Sequence, residues 1–170
     1  MKTQNNDSLF DTKNFRFGRN KNCFKTVGTK NLNRAAFAIH HIKQGQVIYN
    51  ILPYSFKTYA DFLSVQISIE KHIFDRLLEA MNHSCTPTTF VDVQRMQVIA
   101  IKDISPEEEL TFFYPSTEWE MNRPFQCNCQ SSQCIGFVSG AKNLSISHII
   151  QFQLNFHIKS LIKHSFYFIR

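Results

Sequence analysis

Nowhere in this sequence does an apolar run approach the ~20 residues that a membrane span requires. The start, MKTQNNDSLF, has none of the apolar stretch of a secretory leader. Those two absences place the chain inside the cell, away from membranes, where thiols stay reduced. No internal repeat and no heptad pattern is visible, which excludes solenoids and coiled coils. Acidic residues are missing from the last thirty positions, which hold four basic ones. Residues 1–34 carry eight Lys/Arg against two acids, whereas residues 35–140 carry seven against eleven. Basic ends therefore flank an acidic middle. The N-terminal arm is either a solvated tail or a contact for an acidic partner, while the middle attracts a basic one. No recognition motif accompanies the basic residues, so nucleic-acid contact by the arm has charge alone behind it.

What is present suits one globular domain. The 170 residues are 43% hydrophobic and include 17 Phe, enough for a single core. The first thirty residues are Asn/Lys-rich and weakly patterned, and read as irregular or loosely attached. From Ala35 the apolar density rises, and AAFAIHHIKQGQVIYNILP reads as two short strands around a turn at Lys43-Gln44-Gly45. Val65, Ile67 and Ile69 alternate with Gln66 and Ser68, which predicts a strand. Phe74, Leu77, Leu78 and Met81 recur at helical spacing, so FDRLLEAM reads as a short amphipathic helix. TFVDV and MQVIAI make a hairpin around Gln94-Arg95, SPEEE is a polar turn, and LTFFY is a strand ended by Pro115. In the tail, Phe152, Leu154, Phe156 and Ile158 alternate like a strand, while Ile158, Leu161 and Ile162 follow helical spacing, and the two patterns leave it unassigned. Short strands with little helix predict a mainly β fold.

Two stretches carry chemistry. Residues 127–134 read CNCQSSQC, a C-x-C-x4-C array. Three thiolates so close together suit a soft tetrahedral ion, and Zn²⁺ is the ordinary choice inside cells. The alternative is three unpaired surface thiols, an oxidation hazard. A closed site takes four ligands, and the fourth is either Cys23 in the weakly patterned arm or Cys85. Cys85 ends the turn Asn82-His83-Ser84-Cys85, where an ordinary turn has no need of cysteine.

Taken in chain order, these motifs resemble those of the SET-domain protein-lysine methyltransferases. Asn82-His83-Ser84-Cys85-Thr86-Pro87 is similar to the family's NHSC-x-P motif. AIKDISPEEELTFFY, residues 100–114, is similar to its second motif, and PFQCNCQSSQC to its post-SET zinc segment. NRAAFAIHHIKQGQVI, residues 33–48, is similar to the opening segment, and YPSTEWEMNRPF, residues 114–125, is most similar to small stand-alone SET proteins. The resemblance implies small curved sheets with a pseudoknot between the NHSC and ELTFFY segments, few short helices, and a zinc-bound post-SET segment. It divides the chain into a basic N-terminal arm (1–31), a SET domain (32–122), a post-SET zinc segment (123–140) and a C-terminal tail (141–170).

The implied activity is methyl transfer from S-adenosylmethionine to a lysine amine of a protein or peptide, histone or not. The alternative is a zinc-stabilised SET-like binding module with little or no turnover. Tyr114 is then the catalytic residue, Arg34, Ala35, Phe37, Asn82, His83 and Phe125 contact the cofactor, and Phe112 lines the lysine channel. A Tyr or Phe at the Phe112 position tunes how many methyl groups one lysine receives. Cys85, Cys127, Cys129 and Cys134 are the implied zinc ligands. The chemistry needs a neutral amine, and deprotonating a free lysine at neutral pH costs about 4 kcal/mol, so a narrow aromatic channel must lower that cost by desolvation. Four positions depart from the family pattern. Asn33-Arg34-Ala35 stands where the family has G-x-G, Thr88 replaces an Asn, Glu107 a Gly, and Phe113 a polar residue. At a left-handed position Ala35 would cost about 1 kcal/mol or force another backbone route.

Overall fold

The computed structural model describes residues 23–28 and 34–167. Twelve short strands carry the domain. In chain order they are β1 (Phe24–Gly28), β2 (Arg34–Ala38), β3 (Val47–Asn50), β4 (Ser55–Lys57), β5 (Val65–Ser68) and β6 (Lys71–Phe74). They continue with β7 (Asn82–His83), β8 (Thr89–Asp92), β9 (Gln97–Ala100), β10 (Thr111–Phe112), β11 (Phe125–Gln126) and β12 (Phe137–Val138). Among the described residues two α-helices follow, α1 (Ile146–Gln151) and α2 (Phe156–Tyr167). No helix among the described residues is long and apolar enough to cross a membrane.

The strands form small separate sheets. β3-β9-β8 and β4-β6-β5 are three-stranded and antiparallel, and β1-β2 and β11-β12 are antiparallel pairs. The remaining pair, β7 with β10, is parallel, with Asn82 opposite Thr111 and His83 opposite Phe112. The NHSC and ELTFFY motifs thus lie side by side. The chain between them is occupied by the β8-β9 hairpin predicted around Gln94-Arg95.

Two sequence expectations need correction, and the tail, which its sequence pattern leaves unassigned, is resolved. Residues 24–28 of the arm are not irregular: β1 pairs along its whole length with β2, and Cys23 before it is buried. The stretch 74–81 is not an amphipathic helix, because β6 runs to Phe74 and only a 3-10 turn follows at Leu78–Ala80. Asp75 is the cause. Its buried carboxylate accepts the N–H groups of Leu52, Leu77 and Leu78 and the Tyr49 hydroxyl, which bends the chain sharply. Leu77, Leu78 and Met81 all enter the core, so their spacing reports burial rather than a helix face. The tail resolves into α1, capped by the Ser145 hydroxyl accepting the His148 N–H at 3.2 Å, and α2.

Two apolar cores result. The larger joins the main sheets through Ile42, Ile73, Leu77, Met81, Ile104 and Leu110, all essentially inaccessible. The smaller gathers Cys85, Phe113 and Cys127 with Val138, Leu154 and Ile158 of the C-terminal segments. Tyr114 packs against both. Gly140 makes one close approach possible: with φ 108°, a side chain there would place Cβ 2.4 Å from the Trp119 carbonyl oxygen. The chain after β12 can therefore lie directly on residues 118–121, where Ala141 N–H donates to the Glu118 carbonyl at 2.8 Å.

Candidate active site and metal centre

Four cysteine sulfurs converge where the two motifs meet the segment before the tail. The Sγ atoms of Cys85, Cys127, Cys129 and Cys134 all lie within 4.8 Å of one another, and Cys85 and Cys127 are 3.9 Å apart. Four sulfurs at Zn–S bonds of about 2.3 Å in a tetrahedron stand about 3.8 Å apart, so the cluster matches that geometry closely. Cys23, the other candidate, lies elsewhere, buried with Gln46 Nε2 3.8 Å from its sulfur. Burial pushes the Cys85 thiol well up and Cys127 to about 11. Burial also opposes ionisation at Cys129, but the Ser131 and Cys85 backbones and the neighbouring thiols outweigh it and bring it down to about 6. Four thiolates in this space need a cation among them. Backbone N–H groups of Ile135 and Gly136 already point at the sulfurs of Cys85 and Cys134, at 3.5 and 3.4 Å. The cluster can hold a zinc ion.

His83 connects this cluster to the neighbouring cavity. Its Nδ1 accepts the Tyr114 backbone N–H at 3.2 Å, which puts the ring proton on Nε2, and Nε2 stands 3.3 Å from Cys85 Sγ. Burial depresses its pKa to about 4, so the ring is neutral at physiological pH. The ring packs edge-on against Tyr114 and Phe125, with centroids 5.3 and 5.9 Å away.

A cavity of about 320 Å³, within the usual range for small-molecule sites, opens beside it. Of the residues expected from the sequence, Arg34, Asn82, His83, Phe112, Tyr114 and Phe125 line it. Ala35 and Phe37 follow Arg34 on β2 but are not among its walls. Tyr114 sits in the 3-10 turn Tyr114–Ser116, where Pro115 stops β10 from continuing. Its hydroxyl donates to the Met81 carbonyl at 2.9 Å, and burial, followed by the charges of Glu118 and Glu109, holds its pKa far above the normal range. Tyr114 is thus a neutral, fixed oxygen with lone pairs to spare. Phe112 packs on it with ring centroids 4.7 Å apart. Asn82 gives both amide hydrogens away, to the Arg34 carbonyl at 2.9 Å and to Glu109 Oε1 at 2.7 Å, which leaves its Oδ1 as an acceptor.

The departures in the motifs have structural explanations. Ala35 is extended within β2, opposite Val27, so it bears no left-handed strain. Thr88 takes the place of an Asn by accepting the Thr111 N–H at 2.9 Å and donating to the Glu109 carbonyl at 3.0 Å. Phe113 stacks on Phe152 of the tail at 3.8 Å and 11°, a partner no polar residue would use. Glu107 does occupy a left-handed conformation, with φ 65°, where glycine would be at ease.

Sequence reasoning missed several walls of the cavity, among them Asp61, Phe62, Glu79, Glu118 and Arg123. Glu118 is fully enclosed: Oε1 accepts the Gln66 N–H at 2.8 Å and the Thr117 hydroxyl at 3.1 Å, and His72 Nδ1 stands 3.9 Å from Oε2. Desolvation raises its pKa to about 7.

Residues 33–115 match the family model for the SET domain. Methyltransferase flvH of Aspergillus flavus is 42% identical over 83 residues, which span 48% of this chain and 47% of flvH. An H3 lysine-4 specific histone-lysine N-methyltransferase of Emericella nidulans is 35% identical over 66 residues, 35% of this chain and 5% of that protein. The match thus spans about half of flvH and a small part of the histone enzyme. Among solved structures, KRYPTONITE in complex with mCHH DNA, an H3(1-15) peptide and SAH aligns with a TM-score of 0.52 at 19% identity. That alignment covers 70% of this chain and 30% of the other, and it carries the likeness in fold.

Proposed function

We propose, from the match of residues 33–115 to the SET-domain family model, that this chain is a SET-domain, S-adenosylmethionine-dependent protein-lysine N-methyltransferase. The observation that carries the reading is the cavity in which the neutral Tyr114 hydroxyl stands with Asn82, His83, Phe112 and Phe125. S-adenosylmethionine, when bound, supplies a sulfonium methyl group to an attacking amine. The chain's own residues would do the rest by positioning. Asn82 Oδ1 and nearby backbone groups offer hydrogen bonds to the cofactor, and Phe125 an aromatic face. Tyr114, anchored on Met81, offers an oxygen lone pair that orients the lysine amine and accepts weak C–H···O contacts from the methyl group. The aromatic walls strip water from the lysine and so favour its neutral form. Phe112 carries no hydroxyl to fix a water in the path of a methylated amine, which favours transfer beyond monomethyl-lysine.

The substrate is a lysine-bearing protein or peptide; the histone-lysine methyltransferase relatives make core histones the first to try. The purified chain is titrated calorimetrically with S-adenosylhomocysteine, then incubated with S-adenosylmethionine and core histones or a lysine-peptide library and read by mass spectrometry. The reading expects one cofactor site per chain, a mass gain of 14 Da or its multiples on lysine, and loss of transfer in Tyr114→Phe with the fold retained and the thermal melt lowered only by the lost Met81 hydrogen bond. Cofactor binding without methylation of any lysine would leave a zinc-stabilised binding module instead. Absence of cofactor binding would overturn the reading altogether.

A further inference from the structure

Two guanidinium groups line the cavity, and they differ in what already holds them. Arg34 on β2 pairs with the enclosed carboxylate of Glu79, whose other oxygen takes the Tyr54 hydroxyl. That charge is compensated. Arg123, four residues before Cys127, sits over the Phe62 ring with Cζ 4.5 Å from its centroid. A cation held over a ring face keeps its N–H donors available to a ligand. Among the described residues Arg123 makes no hydrogen bond and no ion pair. Asp61 is the nearby acid, but its carboxylate is taken by the Lys57 ammonium and the Phe62 N–H. Those two contacts, with a smaller contribution from Arg123, hold it below the usual carboxylate range. The remaining acid of the walls, Glu118, is turned to Gln66 and Thr117.

Among the described residues the cavity therefore keeps one uncompensated cation, held over an aromatic ring. We infer that Arg123 is a carboxylate clamp, binding the α-carboxylate at the amino-acid end of the cofactor through its N–H fork. The inference rests on the cofactor reading above and names a residue that no motif in the sequence singles out. Planar bidentate recognition of a carboxylate is what a guanidinium does better than an ammonium. Because Arg123 lies in the segment leading to Cys127, the same contact would draw the cysteine-bearing segment over the bound cofactor. An acidic side chain of a peptide substrate would offer the same carboxylate chemistry, so the experiment must tell the two apart.

Calorimetry of the full chain compares S-adenosylhomocysteine with its decarboxylated analogue, 5′-(3-aminopropylthio)-5′-deoxyadenosine, which lacks only the carboxylate. No peptide is present. The unaltered protein is expected to prefer S-adenosylhomocysteine, and Arg123→Gln to lose about tenfold or more of that affinity, the scale of a charge-assisted hydrogen bond. Affinity for the analogue should be unchanged, and Arg123→Lys should recover part of the loss. Equal weakening of both ligands in Arg123→Gln, or no change in either, overturns the clamp. A rise in KM confined to lysine peptides with acidic flanks, at unchanged cofactor affinity, overturns it in favour of a substrate contact. If neither ligand binds the unaltered protein, the clamp falls together with the cofactor reading, and that result is distinct from all the others.

Discussion

His83 Nε2 faces Cys85 Sγ at 3.3 Å while the other nitrogen of the same ring accepts the backbone N–H of Tyr114. A cysteine of the candidate metal cluster and the proposed catalytic tyrosine are thus two hydrogen bonds apart. A hydrogen bond to a ligating sulfur tunes the ligand, and loss of such an outer contact typically costs about 10–100-fold in metal affinity.

The metal assignment predicts about one zinc per purified chain by mass spectrometry. Cys85→Ser should lower that content sharply, and Cys23→Ser should leave it intact because Cys23 lies with Gln46, away from the cluster. In cobalt-substituted protein, His83→Gln should shift the thiolate-to-metal absorption without abolishing it. Full zinc retention in Cys85→Ser would refute the ligand set.

Glu118 makes stability depend on pH in a definite direction. Its carboxyl, ordinarily near 4.5, is raised to about 7 in the folded protein by desolvation. The protonated form is therefore the one that fits, and its contribution is complete below about pH 4.5 and lost as pH rises through about 7. Glu118→Gln keeps the acceptor for Gln66 and removes the titration. Thermal melts should show the variant gaining on the unaltered protein between pH 4.5 and 7, by up to about 3 kcal/mol. His72 and His157, both depressed chiefly by burial, pull the opposite way below about pH 6.5 in both proteins. A difference that is flat with pH would count against the enclosed state of Glu118.

Much of this was legible in the sequence, and the failures share a cause. The β8-β9 hairpin and β5 follow from alternation, which is a local signal. The cysteine array and the NHSC turn carry their chemistry in their spacing. By contrast, residues 74–81 have a short apolar run that fits more than one period, and the outcome is decided by Asp75 meeting N–H groups from Leu52, Leu77 and Leu78. In the tail, Phe152 and Leu154 lie in an extended linker and the helix begins at Phe156, so one alternating stretch covers two structures. Glu118 and Arg123, from the segment before β11, meet Phe62 from the segment before β5, and no spacing in the chain announces that meeting.

The tail should prove essential to the site. Asn155 Nδ2 lies 2.9 Å from both the Val91 and Ser116 carbonyls, and its Oδ1 accepts the Val93 N–H at 3.2 Å. Asn155→Ala would leave the buried Val93 N–H without its acceptor and strip the Ser116 carbonyl of one of its two donors, the other being the Asn155 backbone N–H, at a cost of about 1–3 kcal/mol in a denaturant melt. Because Ser116 belongs to the turn that carries Tyr114, methyl transfer should fall by more than the unfolded fraction explains. Wild-type activity in the folded variant would argue that the turn is held without the tail.

At Glu107 the backbone offers a gain. Its φ of 65° costs a non-glycine residue about 1 kcal/mol. Glu107→Gly should therefore stabilise the protein by somewhat less than that, since glycine also frees the unfolded chain and the exposed Lys25–Glu107 pair is lost. Equilibrium unfolding in urea measures it, and a clear destabilisation would show that the ion pair to β1 outweighs the strain.

The clamp made by Asn155 and by His157, whose Nε2 meets the Thr117 carbonyl at 2.8 Å, has a consequence for biosynthesis. The turn bearing Tyr114 is held by residues translated about forty codons later. A nascent chain still short of α2 can close its hairpins and its cysteine cluster, yet its tyrosine turn lacks the brace on the Ser116 and Thr117 carbonyls. On the proposed reading, competence for methyl transfer would then wait until Asn155 and His157 have left the ribosome and docked.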